Sequence, residues 1–209
     1  MNISNITAKN IRNWWLQKDL PEFYALQNVP EHNDAHEEST FEHTLHVLDI
    51  FENNNTSLIQ EQRAYLDKKV DENSMRDLIK LIILFHDIGK AETLIMTDDG
   101  KTKFPWHEEK SFEKITPLLD KFSLTQQEKG IIENIIRYHW LLHNILIKRE
   151  TDDKIRDKAK AVKNEHPDIF FDLVFFDLLD TLSLHKMEQN NEKEYNFRIN
   201  FFKTLLKSL

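Results

Sequence analysis

Residues 78–85, LIKLIILF, hold one charge in eight and run directly into His86-Asp87-Ile88-Gly89-Lys90. A helix with no polar stripe is buried on all sides, so other elements must pack around it. Residues 169–179, IFFDLVFFDLL, have the same character, with aspartates as their only polar groups. A carboxylate carried into such surroundings is costly unless a metal, an arginine or a set of donors meets it. The chain therefore needs two central apolar segments and a partner for the acidic groups they carry inward.

Those segments belong to an all-α fold. Three glycines and five prolines in 209 residues, with valine sparse beside leucine and isoleucine, leave little material for sheets. Ser39 or Thr40 caps a helix through about Phe51, Ser74 and Asp77 resemble a capping box before the apolar run, and Thr125 with Glu128 opens another helix. Pro167 suits the first turn of a helix reaching about Met187. Asp99-Gly100 between short apolar flanks predicts a small β-hairpin or ordered loop within 94–106. Asn53-Asn54-Asn55 is a loop too short to separate domains. The expectation is one domain over 1–209: a core at about 20–188, an N-terminal helix over 1–19 and a C-terminal helix over 190–209. Trp14-Trp15 and Leu205-Leu206 with Leu209 are expected in the core rather than on a dimer surface.

The net charge of −8 argues against binding long nucleic acid through the whole surface. The absence of cysteine removes disulfides, thiolate nucleophiles and zinc fingers. Any metal must be held by His, Asp and Glu, and ten histidines are available. No signal-peptide pattern and no apolar run of about 18 residues occurs, so no membrane contact and a cytoplasmic location are expected.

Several polar residues fall where apolar ones belong. His86-Asp87 leaves the apolar run at a helix end, where both side chains can turn to one point and Gly89 lets the chain depart sharply. His43 shares a stripe with Val47 and Ile50, and Asp180 shares one with Leu173, Phe176, Leu184 and Met187. His139 follows Ile135 and Ile136, and His107 follows Phe104-Pro105-Trp106 at a helix start. Each alone is more often a satisfied core or surface residue. Together they suit a divalent cation bound by nitrogen and oxygen.

The ordered set His43, His86-Asp87 and Asp180 resembles the H…HD…D pattern of the HD-domain phosphohydrolases. Residues 20–50, LPEFYALQNVPEHNDAHEESTFEHTLHVLDI, with LFHDIGKAET, FPWHEEKS and IIRYH, look like the HD domain of bacterial tRNA nucleotidyltransferases over roughly 20–185. The nucleotidyltransferase head, with its glycine-rich strand and carboxylates, has no counterpart in the sequence. The resemblance therefore implies metal-dependent hydrolysis of nucleotide phosphomonoesters or 2′,3′-cyclic phosphodiesters, with water activated by the ion as nucleophile. It implies His43, His86, Asp87 and Asp180 as primary ligands, and His107 and His139 as holders of a second ion bridged by Asp87. One or two ions of Mg, Mn, Fe, Co or Ni would fit. Asp177 is the alternative to Asp180, and His143 could replace His139. Lys90 matches a lysine often found after the HD pair that could contact a substrate phosphate, with a solvated helix-end lysine as the equal alternative, and in a one-ion site His107 or His139 would bind phosphate or protonate the leaving oxygen. His46 is read as support or structure and His36 as pocket rim, with His32, His166 and His185 as surface or structural residues. The alternatives are a 5′-nucleotidase or a (d)NTP- or ppGpp-type hydrolase, a non-catalytic metal-bearing module that binds nucleotides or RNA ends, and a plain helical scaffold.

Overall fold

Ser39, Ser74 and Thr125 each start a long helix in the computed structural model, which describes residues 1–53, 57–148 and 150–208. The eight longest helices among these residues are α1 (Thr40–Glu52), α2 (Met75–Phe85), α3 (His107–Leu119), α4 (Gln126–Tyr138), α5 (Trp140–Ile147), α6 (Asp152–Glu165), α7 (Phe170–Leu182) and α8 (Glu192–Lys207). The Ser39 hydroxyl accepts the Glu42 N–H at 3.2 Å. Ser74 with Asp77, and Thr125 with Glu128, complete reciprocal capping boxes. Buried Glu128 also accepts the backbone N–H groups of Glu72 and Asn73 at 2.9 and 2.6 Å, which ties the approach to α2 to the start of α4.

The two apolar segments form the middle of the molecule. In α2 the residues from Leu81 to Phe85 are all buried, and in α7 Leu173 to Leu179 are buried without interruption. Helix α1 packs on both α2 and α7, α4 packs on α2 and α3, and α8 covers the outer face of α7. Fully buried Phe175 and Phe176 contribute about 2 kcal/mol each by leaving water.

Four expectations change. The stretch after Pro167 is not one helix to Met187. It begins at Phe170 and stops at Leu182, where the Ser183 hydroxyl and N–H both turn back to the Asp180 carbonyl at 2.7 and 3.0 Å. Leu184 and Met187 thus fall beyond a break, although Leu173 and Phe176 keep their place below Asp180. Residues 1–19 hold only a 3-10 turn, Ile3–Asn5, and a short helix, Ala8–Arg12, capped by Asn2 and Thr7. Trp14 then adopts φ 60° and leaves the helical path. Trp14 and Trp15 are 50 % and 60 % exposed rather than core, Trp14 stacking on Tyr24 at 5.2 Å. Leu205 and Leu206 are only partly buried; Asn54-Asn55 and Leu209 lie outside the described residues.

Among the described residues there are also two short hairpins. Strands β3 (Ile95–Met96) and β4 (Thr102–Lys103) pair antiparallel across Gly100, whose φ of 78° suits glycine. An earlier hairpin of β1 (Pro30–His32) and β2 (Glu37–Ser39), which sequence patterning does not reveal, pairs Glu31 with Glu38. The His32 N–H joins the two hairpins through the Thr102 hydroxyl at 2.8 Å. Among the described residues, no helix is long and apolar enough to cross a membrane.

Asp172 on α7 is buried and accepts the Tyr65 hydroxyl at 2.5 Å. Burial raises its carboxyl to about 6 despite that hydrogen bond. A raised acid favours folding fully below the unfolded value near 3.8, and the benefit is lost as pH rises through about 6. Asp172→Asn keeps an acceptor for Tyr65 without the charge. Urea titrations should show the variant gaining up to about 3 kcal/mol over the parent between pH 4 and pH 7, since each pKa unit is about 1.4 kcal/mol. A stability difference independent of pH would contradict this.

Candidate metal centre

At the end of α2, His86 still donates its N–H to the Ile82 carbonyl at 2.9 Å, and residues 86–89 then turn toward α3. Gly89 keeps φ −76°, so it is not needed for a left-handed exit. Its role is close approach. A Cβ there would stand 2.5 Å from the His107 carbonyl and the Ser111 nitrogen, and its N–H donates to the Ser111 hydroxyl at 2.9 Å. The His-Asp turn and the first turn of α3, which carries His107, are thereby held together.

Three histidines are oriented by one local device. The Nδ1–H of His86 donates to the Ile83 carbonyl at 2.9 Å, that of His107 to Phe104 at 2.9 Å, and that of His139 to Ile136 at 2.6 Å. A carbonyl only accepts, so each ring in its neutral form presents a bare Nε2 lone pair to the centre. His43 matches them by another route: the Ser183 proton goes to the Asp180 carbonyl, so His43 Nδ1–H donates to the Ser183 oxygen at 3.3 Å. These tautomers follow from the hydrogen-bond partners.

The inward atoms converge. His86 Nε2 lies 3.0 Å from Asp87 Oδ2, and His43 Nε2 lies 2.9 Å from Asp180 Oδ1 and 4.0 Å from Asp87 Oδ2. On the other side of Asp87, Oδ1 lies 3.4 Å from His107 Nε2 and 3.8 Å from His139 Nε2. The two latter nitrogens are 3.2 Å apart. With both Nδ1 protons committed to carbonyls, that approach sets lone pair against lone pair and needs a cation or proton between them. His43–His86–Asp180 and Asp87–His107–His139 each bring three donor atoms within 4.8 Å of one another. The donor set fits a divalent ion, with Asp87 common to both halves.

Electrostatics agree with the geometry. Burial works against the Asp87 and Asp180 charges, yet His86 and Lys90 hold Asp87 well below the ordinary range, and His43 and His143 do the same for Asp180. Burial also opposes charge on His43, but Asp180 carries it up to about 9. Burial and the neighbouring rings of His107 and His86 push His139 down to about 3, and burial lowers His107 as well.

The remaining candidates separate cleanly. Asp177 is fully buried with neither carboxylate oxygen hydrogen-bonded, and burial holds its acid well above the usual range. It stands outside both groups of donors. His143 Nε2 reaches Asp180 Oδ2 at 3.1 Å and braces that carboxylate from behind, whereas it is His139 that meets Asp87 and His107. Lys90 is 7 % exposed and no solvated helix end: its Nζ bridges Asp87 Oδ2 at 2.7 Å and Glu31 Oε2 at 2.9 Å. His46 pairs with Glu38 at 2.8 Å, and His36 lies half-buried between Glu31 and Glu38. His32 and His185 are exposed, and His166 packs on Tyr138. Sequence reasoning missed Glu31 and Glu38. Both sit in a hairpin of three-residue strands whose polar residues carry no periodic signal.

A family model for the HD domain matches residues 40–166, well over half of the chain. The chain belongs to the HD-domain family. The matched span contains His43, His86, Asp87, His107 and His139, while Asp180 follows it. HD domains in general bind divalent metals and act as metal-dependent hydrolases. The chain is also similar to a bifunctional uridylyltransferase/uridylyl-removing enzyme of Cereibacter sphaeroides, 25 % identical over 148 residues. That alignment covers 70 % of this chain and 15 % of the relative, so this HD domain spans a small part of that protein.

Lys90→Met leaves Glu31 buried and uncompensated, and should cost about 3 kcal/mol in urea unfolding. Adding Glu31→Gln to it should recover more than half of that loss. A lysine serving only the solvent would cost under about 0.5 kcal/mol and show no coupling.

Proposed function

We propose that this HD domain is a metal-dependent phosphohydrolase for nucleotide phosphomonoesters or 2′,3′-cyclic phosphodiesters. The observation that carries the reading is the set of imidazoles locked by backbone carbonyls with bare Nε2 atoms turned on the Asp87 carboxylate. His43, His86, Asp87 and Asp180 would hold one ion, and His107 and His139 would hold a second through Asp87. A bound divalent ion supplies Lewis-acid charge against phosphoryl oxygens and brings the pKa of water toward neutrality, to about 7 in favourable cases.

The chain's own residues supply the rest. Lys90 places a fixed ammonium beside Asp87, where it meets the negative charge of a phosphoryl group. Glu31 orients it and keeps it from collapsing onto Asp87 alone. His139, held neutral far below physiological pH, is a poor proton donor, which favours ion holding over general-acid work for this ring. Asp180, the least buried of the six candidate ligands at 15 % side-chain exposure, supports approach of a substrate from its side. The nucleotide part of the reading draws on the resemblance of residues 20–50 to the HD domain of tRNA nucleotidyltransferases. The relative named for removing uridylyl groups points to nucleotide esters as well.

The test is turnover of nucleoside monophosphates and 2′,3′-cyclic nucleotides by chelated and metal-loaded protein. Activity lost on chelation and regained with Mn, Co, Ni, Fe or Mg is the expected result. Asp87→Ala should lose bound metal and more than about a thousandfold in rate, because one carboxylate serves both halves of the centre. Turnover retained in that variant would overturn the assignment.

A further inference from the structure

A strained and solvent-facing tryptophan stands next to this centre. Trp106 immediately precedes His107 and adopts φ 61°, a left-handed conformation that bulky side chains rarely take. The backbone has a use for that turn. It brings His107 Nδ1–H onto the Phe104 carbonyl and lets the Trp106 carbonyl accept the Lys110 N–H at 3.1 Å. Neither contact involves the indole, and glycine or asparagine would supply the same backbone at less strain. The indole gives the core nothing in return: it is 78 % exposed, the most exposed of the large apolar side chains described. Trp140 completes the pattern. Its ring lies edge-on to His107 at 5.5 Å and stacks on His143 at 5.9 Å, yet it remains 37 % exposed. Two of the four tryptophans in the chain thus flank His107, one through the backbone and one through ring contact.

We propose that Trp106 and Trp140 form a stacking site for the base of the substrate, so that the centre acts on phosphate esters bearing a flat ring. The proposal rests on the phosphohydrolase reading above and adds to it the part of the substrate that does not react. An indole offers a large rigid π-face at little ordering cost, and stacking accepts every base because every base has such a face. A ring held there leaves its phosphate to the Lys90 ammonium and the neighbouring donors.

The experiment titrates the full chain with adenosine and uridine, which carry no phosphate, while following tryptophan fluorescence. The parent should show saturable quenching, Trp106→Gly should lose most of it, Trp140→Phe should lose part, and Trp15→Phe should keep it. In turnover, the ratio of kcat/KM for a nucleotide to that for glycerol phosphate should fall roughly tenfold in Trp106→Gly, the size of one base–aromatic stack. The same variant should melt at or above the parent's temperature, because glycine relieves the left-handed backbone. Three results would overturn the proposal: no nucleoside quenching, an unchanged substrate ratio, or a marked drop in the melting temperature of Trp106→Gly. A dimer in which Trp106 is shielded from acrylamide would do the same, by giving the indole a protein partner. Nucleoside quenching with no turnover of any ester would remove the phosphohydrolase reading and leave the ring site standing. Turnover without ring preference would remove the ring site alone.

Discussion

A carboxylate that is 3 % exposed organises this molecule. Asp87 cannot keep its charge in that setting unless positive charge meets it, and four residues stand against it that either carry such charge or can hold a cation beside it. His86 comes from its own turn, Lys90 from the next, His107 from the start of α3 and His139 from the end of α4. Charge balance shows what is still wanted. Glu31, Asp87 and Asp180 contribute three negative charges and Lys90 one positive, so once His43 yields to an ion the proton that Asp180 favours, and every imidazole is neutral, the centre sums to 1 − 3 = −2. A single divalent ion balances that sum. Asp177, which stands outside both groups of donors, and the separately paired Glu38 do not enter it.

The helices serve this centre mainly through their ends. The last turns of α2 and α4 and the turn before α3 each offer a carbonyl three residues before a histidine, and each spends that histidine's Nδ1 proton. Ring orientation is thus set by local backbone rather than by distant packing. The long-range part falls to Gly89, which admits α3 at a distance no side chain would permit, and to Ser183, whose hydroxyl ends α7 and supports His43. This division explains how a core of ordinary composition can carry a demanding constellation.

Much of the architecture is legible in the sequence because the signals are local. The Ser39, Ser74 and Thr125 caps lie where their side chains predict, and Asp99-Gly100 makes the expected hairpin. His43, His86, Asp87, His107, His139 and Asp180 are legible as polar residues on apolar stripes, and the fold brings all six together. Other features depend on tertiary context. The burial of Lys90 requires Glu31, which reaches the centre through a strand of three residues with no alternating pattern. The break after Leu182 depends on a serine turning back on its own helix, and no glycine or proline announces it. Trp14-Trp15 reads as core by composition alone, but the strained backbone at Trp14 sends both rings to the surface.

The most direct test of the account is elemental analysis of the metal-loaded chain, paired with its thermal unfolding before and after chelation. Ions that bind the folded centre and not the unfolded chain stabilise it by about 2.7 kcal/mol at a hundredfold excess over Kd. One or two divalent ions per chain are expected, with a melting temperature that falls on chelation and returns on reloading. A chain that takes up no ion under any loading, and melts at one temperature throughout, would contradict the account.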